Sequence, residues 1–272
     1  MDAAARPVIA LLTDFGVRDH YVASMKGAVL AVCPEAVLVD ISHDVQPQAI
    51  GQAARMLRSC WPDFPTETVF LVVVDPGVGS ARRAVAVRSG LYSFVGPDNG
   101  VFTPVYRRDP RAMVVELRNA RYRRPHVSAT FEGRDRFAPA AAWLARGVSI
   151  EDFGPTVRDP IALEDESARV DGDGVSGTVV HVDRFGNLVT NVAAAQVKAL
   201  AMVDTAGALV VTVGSRALRV VRTYADGRPG EVVALVGSAD EVEIAACGAN
   251  AATTLGLGVG AAVRIGVRRA ER

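Results

Sequence analysis

Three apolar runs open the chain, and each hands over to a polar turn. Residues 8–12 lead into Thr13-Asp14-Phe15-Gly16, residues 37–41 into Ser42-His43-Asp44, and residues 69–74 into Asp75-Pro76-Gly77-Val78-Gly79. Runs rich in Val, Leu and Ile with little alternation read as strands buried on both faces. Between them, residues 20–33 carry Val22, Met25, Val29 and Leu30 at helical spacing and stop at Pro34, and residues 46–59 make a second helix. Strand, helix, strand, helix, strand predicts a parallel sheet with right-handed crossovers.

The third run organises the rest. It delivers Asp75 at a strand end, Pro76 stops the strand, and Gly77 and Gly79 allow a tight, backbone-exposing turn. Arg82, seven residues on, is close enough to fold back onto the acid. Ligands of open α/β sheets sit outside the carboxyl ends of the strands. If the three strands are neighbours, Asp14, Ser42 with His43, and Asp75 share one rim. His43 by itself reads more readily as a structural hydrogen-bonder than as a catalyst.

Short β runs follow at 84–88 and 92–95, then Gly96-Pro97-Asp98-Asn99-Gly100, which is either a plain turn or a pocket-lining loop. Residues 128–137 (Ser-Ala-Thr-Phe-Glu-Gly-Arg-Asp-Arg-Phe) carry more Thr, Glu, Arg and Asp than a helix start requires, and lead into an alanine-rich helix at 138–145. Residues 149–174 hold prolines, the acids Glu164, Asp165 and Glu166, and a glycine-rich end. This places an N-terminal α/β domain at 1–160, a linker at 161–174 and a second domain at 175–272. The second domain has short β runs near 176–183, 188–192, 208–213, 216–222, 231–236, 241–246 and 262–267, and no substantial helix is expected between most of them. That pattern predicts an antiparallel barrel or sandwich. Asp183-Arg184-Phe185-Gly186-Asn187 interrupts it with polar groups and an aromatic residue.

Composition narrows the field. Thirty basic and thirty acidic side chains cancel, which argues against nucleic acid or an anionic membrane as the main partner. Cys33, Cys60 and Cys247 are widely spaced and match no metal pattern, as expected of reduced thiols in the cytoplasm. No stretch approaches the ~20 apolar residues of a membrane span, and no leader pattern opens the chain. The expectation is a soluble cytoplasmic protein.

Six motifs occur in order: Thr13-Asp14-Phe15-Gly16, Ile41-Ser42-His43-Asp44, Val74-Asp75-Pro76-Gly77-Val78-Gly79, Gly96-Pro97-Asp98-Asn99-Gly100, Thr130-Phe131-Glu132-Gly133-Arg134-Asp135 and Asp183-Arg184-Phe185-Gly186-Asn187. Together they make the chain resemble the S-adenosyl-L-methionine (SAM) hydroxide adenosyltransferases, the SAM hydrolases related to fluorinase and chlorinase. The resemblance spans essentially the whole chain. It implies a Rossmann-like N-terminal α/β domain with a mostly parallel sheet, and a C-terminal antiparallel β-barrel. It also implies a homotrimer whose active sites lie between the N-domain of one subunit and the C-domain of the next. The implied reaction is attack of water or hydroxide on ribose C5′ of SAM, giving adenosine and L-methionine, with SAM as substrate and neither cofactor nor metal.

Carried over by motif, Asp14 matches the acid that holds the ribose hydroxyls. Asp75 and Arg82 match two members of a water-activating Asp-Arg-His triad. Asp183, Phe185 and Asn187 match the loop on methionine and adenine, Tyr224 an aromatic on adenine, and Ser238 and Glu243 the segment at the amino-acid end. Two departures stand out: Glu132 occupies the position of the triad histidine, and Cys247 that of an asparagine. Glu132 is expected within reach of the water or of Arg82, and His126 is a possible compensating group. Two other readings are open, a SAM or adenosine sensor without turnover and a halogenase. Retention of Asp75, whose carboxylate repels halide, and the lack of a hydroxyl at Gly133 count against the second.

Overall fold

The first strand, β1 (Val8–Thr13), is followed by α1 (Tyr21–Val32), β2 (Val37–Ser42), α2 (Ile50–Cys60), β3 (Val69–Val73), β4 (Ala84–Ser89), β5 (Tyr92–Pro97), α3 (Thr103–Arg108), β6 (Met113–Glu116) and α4 (Ala138–Ala145). The computed structural model describes residues 6–164, 167–203 and 208–268. Asp165 and Glu166 of the acidic run lie outside the described residues, as do 1–5, where a leader would begin. The chain divides into two units, one up to residue 164 and one from 165 onward.

In the first unit the strand order is β2-β1-β3-β5-β4-β6. The pairs β1–β2, β1–β3 and β3–β5 are parallel, whereas β4 runs antiparallel to both β5 and β6. The expected α/β unit with a mostly parallel sheet is therefore present. Alternate residues of the central strands enter different cores. Ile9, Leu11, Val69, Leu71 and Val73 join one cluster with α1 and α4, while Ala10, Leu12, Phe70, Val72 and Val74 join another with α2 and α3. A sheet covered on both faces needs apolar side chains at every position, which is why these strands read as unbroken runs. The α2 helix begins four residues later than its sequence pattern suggests. Pro47 disfavours helix in the residue before it, and Gln48 sits at φ +67°, so helical geometry starts only beyond them.

Four alanines of α4 (Ala138, Ala140, Ala141 and Ala142) are buried among α1 and the sheet. Their small side chains let α4 approach closely. The residues in front of it, Gly133–Phe137, form a single π-helical turn closed by the Ala138 N–H on the Gly133 carbonyl.

The second unit contains β7 (Arg169–Asp171), β8 (Gly174–Val182), β9 (Leu188–Ala193), α5 (Ala194–Val203), β10 (Ala208–Val213), β11 (Arg216–Arg219), β12 (Val232–Val236), β13 (Glu241–Ala246), α6 (Ala251–Leu255) and β14 (Ala262–Arg268). Its strands pair antiparallel in the order β11-β10-β14-β8-β9-β13-β12, with β7 added to β8. Beyond β11, Val220 bridges Ala234 of β12 and nearly closes the circuit. The choice between sandwich and barrel thus resolves to a nearly closed barrel. The ten-residue α5 was not expected between the strands.

Candidate active site

Asp75 leaves the sheet directly after the buried end of β3. Two successive turns reverse the chain: the Val78 N–H donates to the Asp75 carbonyl (3.2 Å) and the Ser80 N–H to the Gly77 carbonyl (3.1 Å). A Cβ on Gly77 would lie 3.2 Å from Arg82 Cγ, and one on Gly79 (φ +77°) would lie 2.6 Å from the Ala129 carbonyl oxygen. Glycine at these two positions lets Arg82 return onto Asp75 and the loop rest on residues 128–133. The strand-end carbonyl of Val74 accepts from Asn99 Nδ2 (2.8 Å). Asp98, fully buried, accepts from Arg83 Nε (2.7 Å) and the Ile161 N–H (2.8 Å). The Gly96–Gly100 motif is thereby scaffold beneath the Asp75 loop.

Arg82 joins two acids. Its Nε donates to Asp75 Oδ1 (2.9 Å) and Oδ2 (3.1 Å), and its Nη2 reaches both Asp75 Oδ2 and Glu132 Oε2. The three side chains are only 5% (Asp75), 9% (Arg82) and 11% (Glu132) exposed, so the group is nearly dry. The Arg82 guanidinium lies 5.1 Å from the centre of the Phe137 ring. Burial opposes the charge on Arg82, but Asp75 and then Glu132 outweigh it and hold the guanidinium above its ordinary range. Glu132 also meets Arg136 Nη2 through Oε1 (3.2 Å). It stands at the mouth of the π-turn, where the fully buried Asp135 accepts from Arg134 Nε (2.7 Å) and the Ser128 N–H (2.9 Å). Burial would raise the Asp135 carboxyl, and these two donors more than reverse that.

Asp14 follows β1, which neighbours β3 with Thr13 opposite Val73. Its Oδ2 accepts from the Gln48 N–H (2.9 Å), the residue in the left-handed region. Asp14 and Asp75 thus leave adjacent strands on one rim. His43 supports that rim from below. It is buried, its Nδ1 is 2.9 Å from Thr13 Oγ1, and its carbonyl accepts from the Gly16 N–H (2.8 Å). Its Nε2 is 3.0 Å from Asp40 Oδ1, out of line for a hydrogen bond. Phe15, which follows Asp14, packs its ring with those of Tyr21 and Phe131, at 5.3–6.0 Å between centroids.

In the second unit, the β8–β9 loop is tied by Asp183. Its Oδ1 accepts from the N–H groups of Phe185 (2.9 Å) and Asn187 (2.8 Å), and its Oδ2 from Asn187 Nδ2 (2.9 Å). Asn187 is buried, whereas Phe185 is 76% exposed and projects from the loop. The Tyr224 hydroxyl donates to Glu243 Oε2 (2.9 Å). Burial, Glu243 and Asp183 push the phenol up to about 12. Burial also raises the Glu243 carboxyl, and the nearby charges of Asp183 and Glu241 reinforce this against the Tyr224 hydrogen bond. A Cβ on Gly237 would fall 1.9 Å from Glu243 Oε1, so glycine there makes room for the carboxylate. Ser238 stands exposed in the turn between β12 and β13. Cys247 is buried, with Sγ 3.2 Å from the Tyr224 carbonyl oxygen.

Asp14, Asp75, Arg82 and Glu132 are therefore gathered on one rim of the first unit, and Asp183, Phe185, Asn187, Tyr224 and Glu243 around one face of the second. Sequence reasoning passed over Arg136 and Gln48. The Glu132/Arg136 spacing of four is a helical pair in plain sight, but only once residue 132 is known to open a helix. His126 is exposed, with no polar contact to the Asp75–Arg82–Glu132 group among the described residues. No cluster of three or more His, Cys, Asp or Glu residues placed to hold a metal occurs among the described residues. No helix among them is long and apolar enough to cross a membrane.

Two family models match the chain: the SAM hydroxide adenosyltransferase N-terminal domain over residues 9–154 and the C-terminal domain of the same name over 177–264. An (R)-S-adenosyl-L-methionine hydrolase from Thermus thermophilus is 40% identical, covering 96% of this chain and 99% of the relative. One from Salinispora tropica is 36% identical, covering 96% and 98%. A fluorinase from an Actinoplanes species is more distant, at 29% over 71% of this chain and 74% of its own. A crystal structure described as an uncharacterized conserved protein from Thermotoga maritima superposes with a TM-score of 0.88. Its identity is 35%, over 94% of this chain and 99% of that one.

Proposed function

The chain belongs to the SAM hydroxide adenosyltransferase family, and from that premise we propose that it hydrolyses SAM at ribose C5′, releasing adenosine and L-methionine. The observation that carries this reading is the buried Asp75–Arg82–Glu132 group at the end of β3.

The sulfonium is already an excellent leaving group, so no acid is required at the departing sulfur. The enzyme's task is to hold one water behind C5′ and begin to remove its proton. Orientation contributes several kcal/mol and general-base assistance about 10²–10⁴-fold. Asp75 takes the proton. Arg82, pinned on both sides, supplies positive charge that favours hydroxide character in the water. Glu132 fixes the far side of Arg82 in place of the histidine that the resemblance leads one to expect. A carboxylate at Asp75 repels halide, which favours water over chloride or fluoride as nucleophile. Asp14, held by the Gln48 N–H, takes the ribose hydroxyls. Asp183, Phe185, Asn187, Tyr224, Ser238 and Glu243 receive adenine and the methionine portion, and the acids among them favour the sulfonium and ammonium charges.

We further propose a homotrimer in which the first unit of one subunit and the second unit of another serve the same substrate. Support comes from the division of labour: one unit holds the water-activating group and the other the acid-rich binding face. The three free thiols fit a reducing, cytoplasmic setting. Incubation with SAM, with and without chloride, followed by identification of the adenosyl product, tests the reaction. Adenosine in both arms is expected. 5′-Chloro-5′-deoxyadenosine would mark a halogenase, and binding without turnover a sensor. For the trimer, inactive Asp14→Ala and Asn187→Ala proteins are mixed under conditions of proven subunit exchange. Partial recovery is expected, and no recovery would place both groups on one chain's site.

A further inference from the structure

Glu132 is the residue at which this chain departs from the triad its motifs imply, and it is held from two directions. Oε2 goes to Arg82, and Oε1 goes to Arg136, four residues later across the π-turn. The charged groups facing Glu132 are Arg82, with Asp75 behind it, from the loop after β3, and Arg136 from its own turn. Arg134 is turned away to Asp135. Two acids and two arginines therefore alternate, Asp75–Arg82–Glu132–Arg136, and their charges cancel, with only Arg136 at the end of the chain partly exposed. Arg136 keeps this position although its Nε is buried and has no hydrogen-bond partner. An unpaired buried donor is costly, and such groups in a native fold call for a reason. A single π-turn inside a helix is also a frequent mark of a functional site.

We infer that Arg136 is a positioning residue for the water-activating group. It anchors Glu132 through Oε1 so that Oε2 stays committed to Arg82, and it balances the second negative charge that a glutamate brings to this position. The inference rests on the reading of Glu132 as part of the catalytic group. Without Arg136, the Glu132 carboxylate is free to turn, Arg82 loses its second anchor, and three charged groups remain with a net negative charge. The water-orienting geometry degrades, whereas the surfaces that bind SAM are untouched.

Two measurements on the full-length protein test this. In the native background, Arg136→Gln is expected to lower kcat about tenfold with KM held within twofold, and Arg136→Lys to recover most of the loss. A kcat equal to that of the parent for Arg136→Gln overturns the inference. So does normal turnover of Glu132→Ala alongside a slow Arg136→Gln, because Arg136 would then not act through Glu132. If Arg136→Gln fails to fold, Arg136→Lys takes its place. A Lys variant that folds but loses kcat about tenfold or more overturns the inference, because the charge that it keeps would then not be what Arg136 supplies.

The second measurement needs no turnover. In Glu132→His, the midpoint of the introduced imidazole is read by NMR and compared with that in Glu132→His/Arg136→Gln. A cation close to an imidazole disfavours its protonation, so removing Arg136 is expected to raise the midpoint by about half a unit or more. An unmoved midpoint means Arg136 does not face position 132, and the inference falls even if SAM is not the substrate.

Discussion

The carboxylates of the two units face different surroundings. Asp75 and Glu132 are almost fully buried and share a guanidinium, with a second one beyond Glu132. Glu243 has a phenol for its partner, and its carboxyl is raised by burial and by the neighbouring acids Asp183 and Glu241. The first arrangement has its charge balanced before any ligand arrives, which suits a group that must hold one water in a fixed field. The second gathers acids with no cation among the causes of the shift, which suits the positively charged methionine end of the proposed substrate. On the proposed reading, charge balance within the fold goes with the chemistry, and its lack goes with the recognition surface.

The sharpest way to break this contrast is at Asp75. Asp75→Asn is expected to lower kcat by about 10²-fold or more while SAM binding changes only a few-fold. Near-normal turnover, measured by adenosine release, would remove Asp75 from the chemistry. Next in size is Gly79→Ala. Its Cβ would meet the Ala129 carbonyl and would force a left-handed residue to carry a side chain. A stability loss of about 1–3 kcal/mol is expected in denaturant titration, with a fall in kcat larger than any change in KM.

The binding face is expected to respond in KM. Glu243→Gln should raise KM for SAM about tenfold and leave kcat within a few-fold. Its pH behaviour follows from the raised carboxyl. Protons hold Glu243 neutral to a higher pH than an ordinary glutamate, so the attraction for a cation grows as pH rises through that raised value and is lost as pH falls. In the parent protein KM should therefore climb as pH falls through that raised value, and in Glu243→Gln that climb should flatten. For stability the sign is opposite. With the folded value above the unfolded one, the contribution is fully present below the unfolded value and is lost as pH rises through the folded one. The smallest expected effect is that of Phe185→Ala. The ring is mostly exposed, so melting temperature should barely move while KM rises a few-fold. An unchanged KM would mean that the ring touches no substrate.

The strands that deliver Asp14 and Asp75 were legible because burial on both faces leaves no polar position to interrupt the pattern. Shorter or less patterned pieces were not. α3 has six residues and β6 four, too few for any period to show. The Ala194–Val203 segment is so rich in alanine and other apolar residues that no polar stripe marks it as an α-helix against its β-rich flanks. The order of β4 and β5 was also hidden, since adjacency in sequence does not say which strand sits inside. Among site residues, Arg82 could be placed on Asp75 from spacing alone, because glycines set the turn. Arg136 could not, because its role depends on a helical turn opening at Glu132 and on Arg82 arriving from fifty residues upstream. Asp98 and Asn99 could have been either scaffold or pocket wall. Only the hydrogen bonds to Val74, Arg83 and Ile161 decide for scaffold.

The contact of Gly79 with the Ala129 carbonyl has a dynamic consequence. It leaves no gap between the loop after β3 and the segment that carries Glu132, and Arg82 bolts the two together a few residues away. Neither can swing out alone as a lid, so they fluctuate as one body or open by local unfolding. The entropy of assembling the reactive group is then spent once, at folding, rather than at each arrival of substrate. Hydrogen exchange at the amides of 77–82 and 129–133 should accordingly share a single opening free energy.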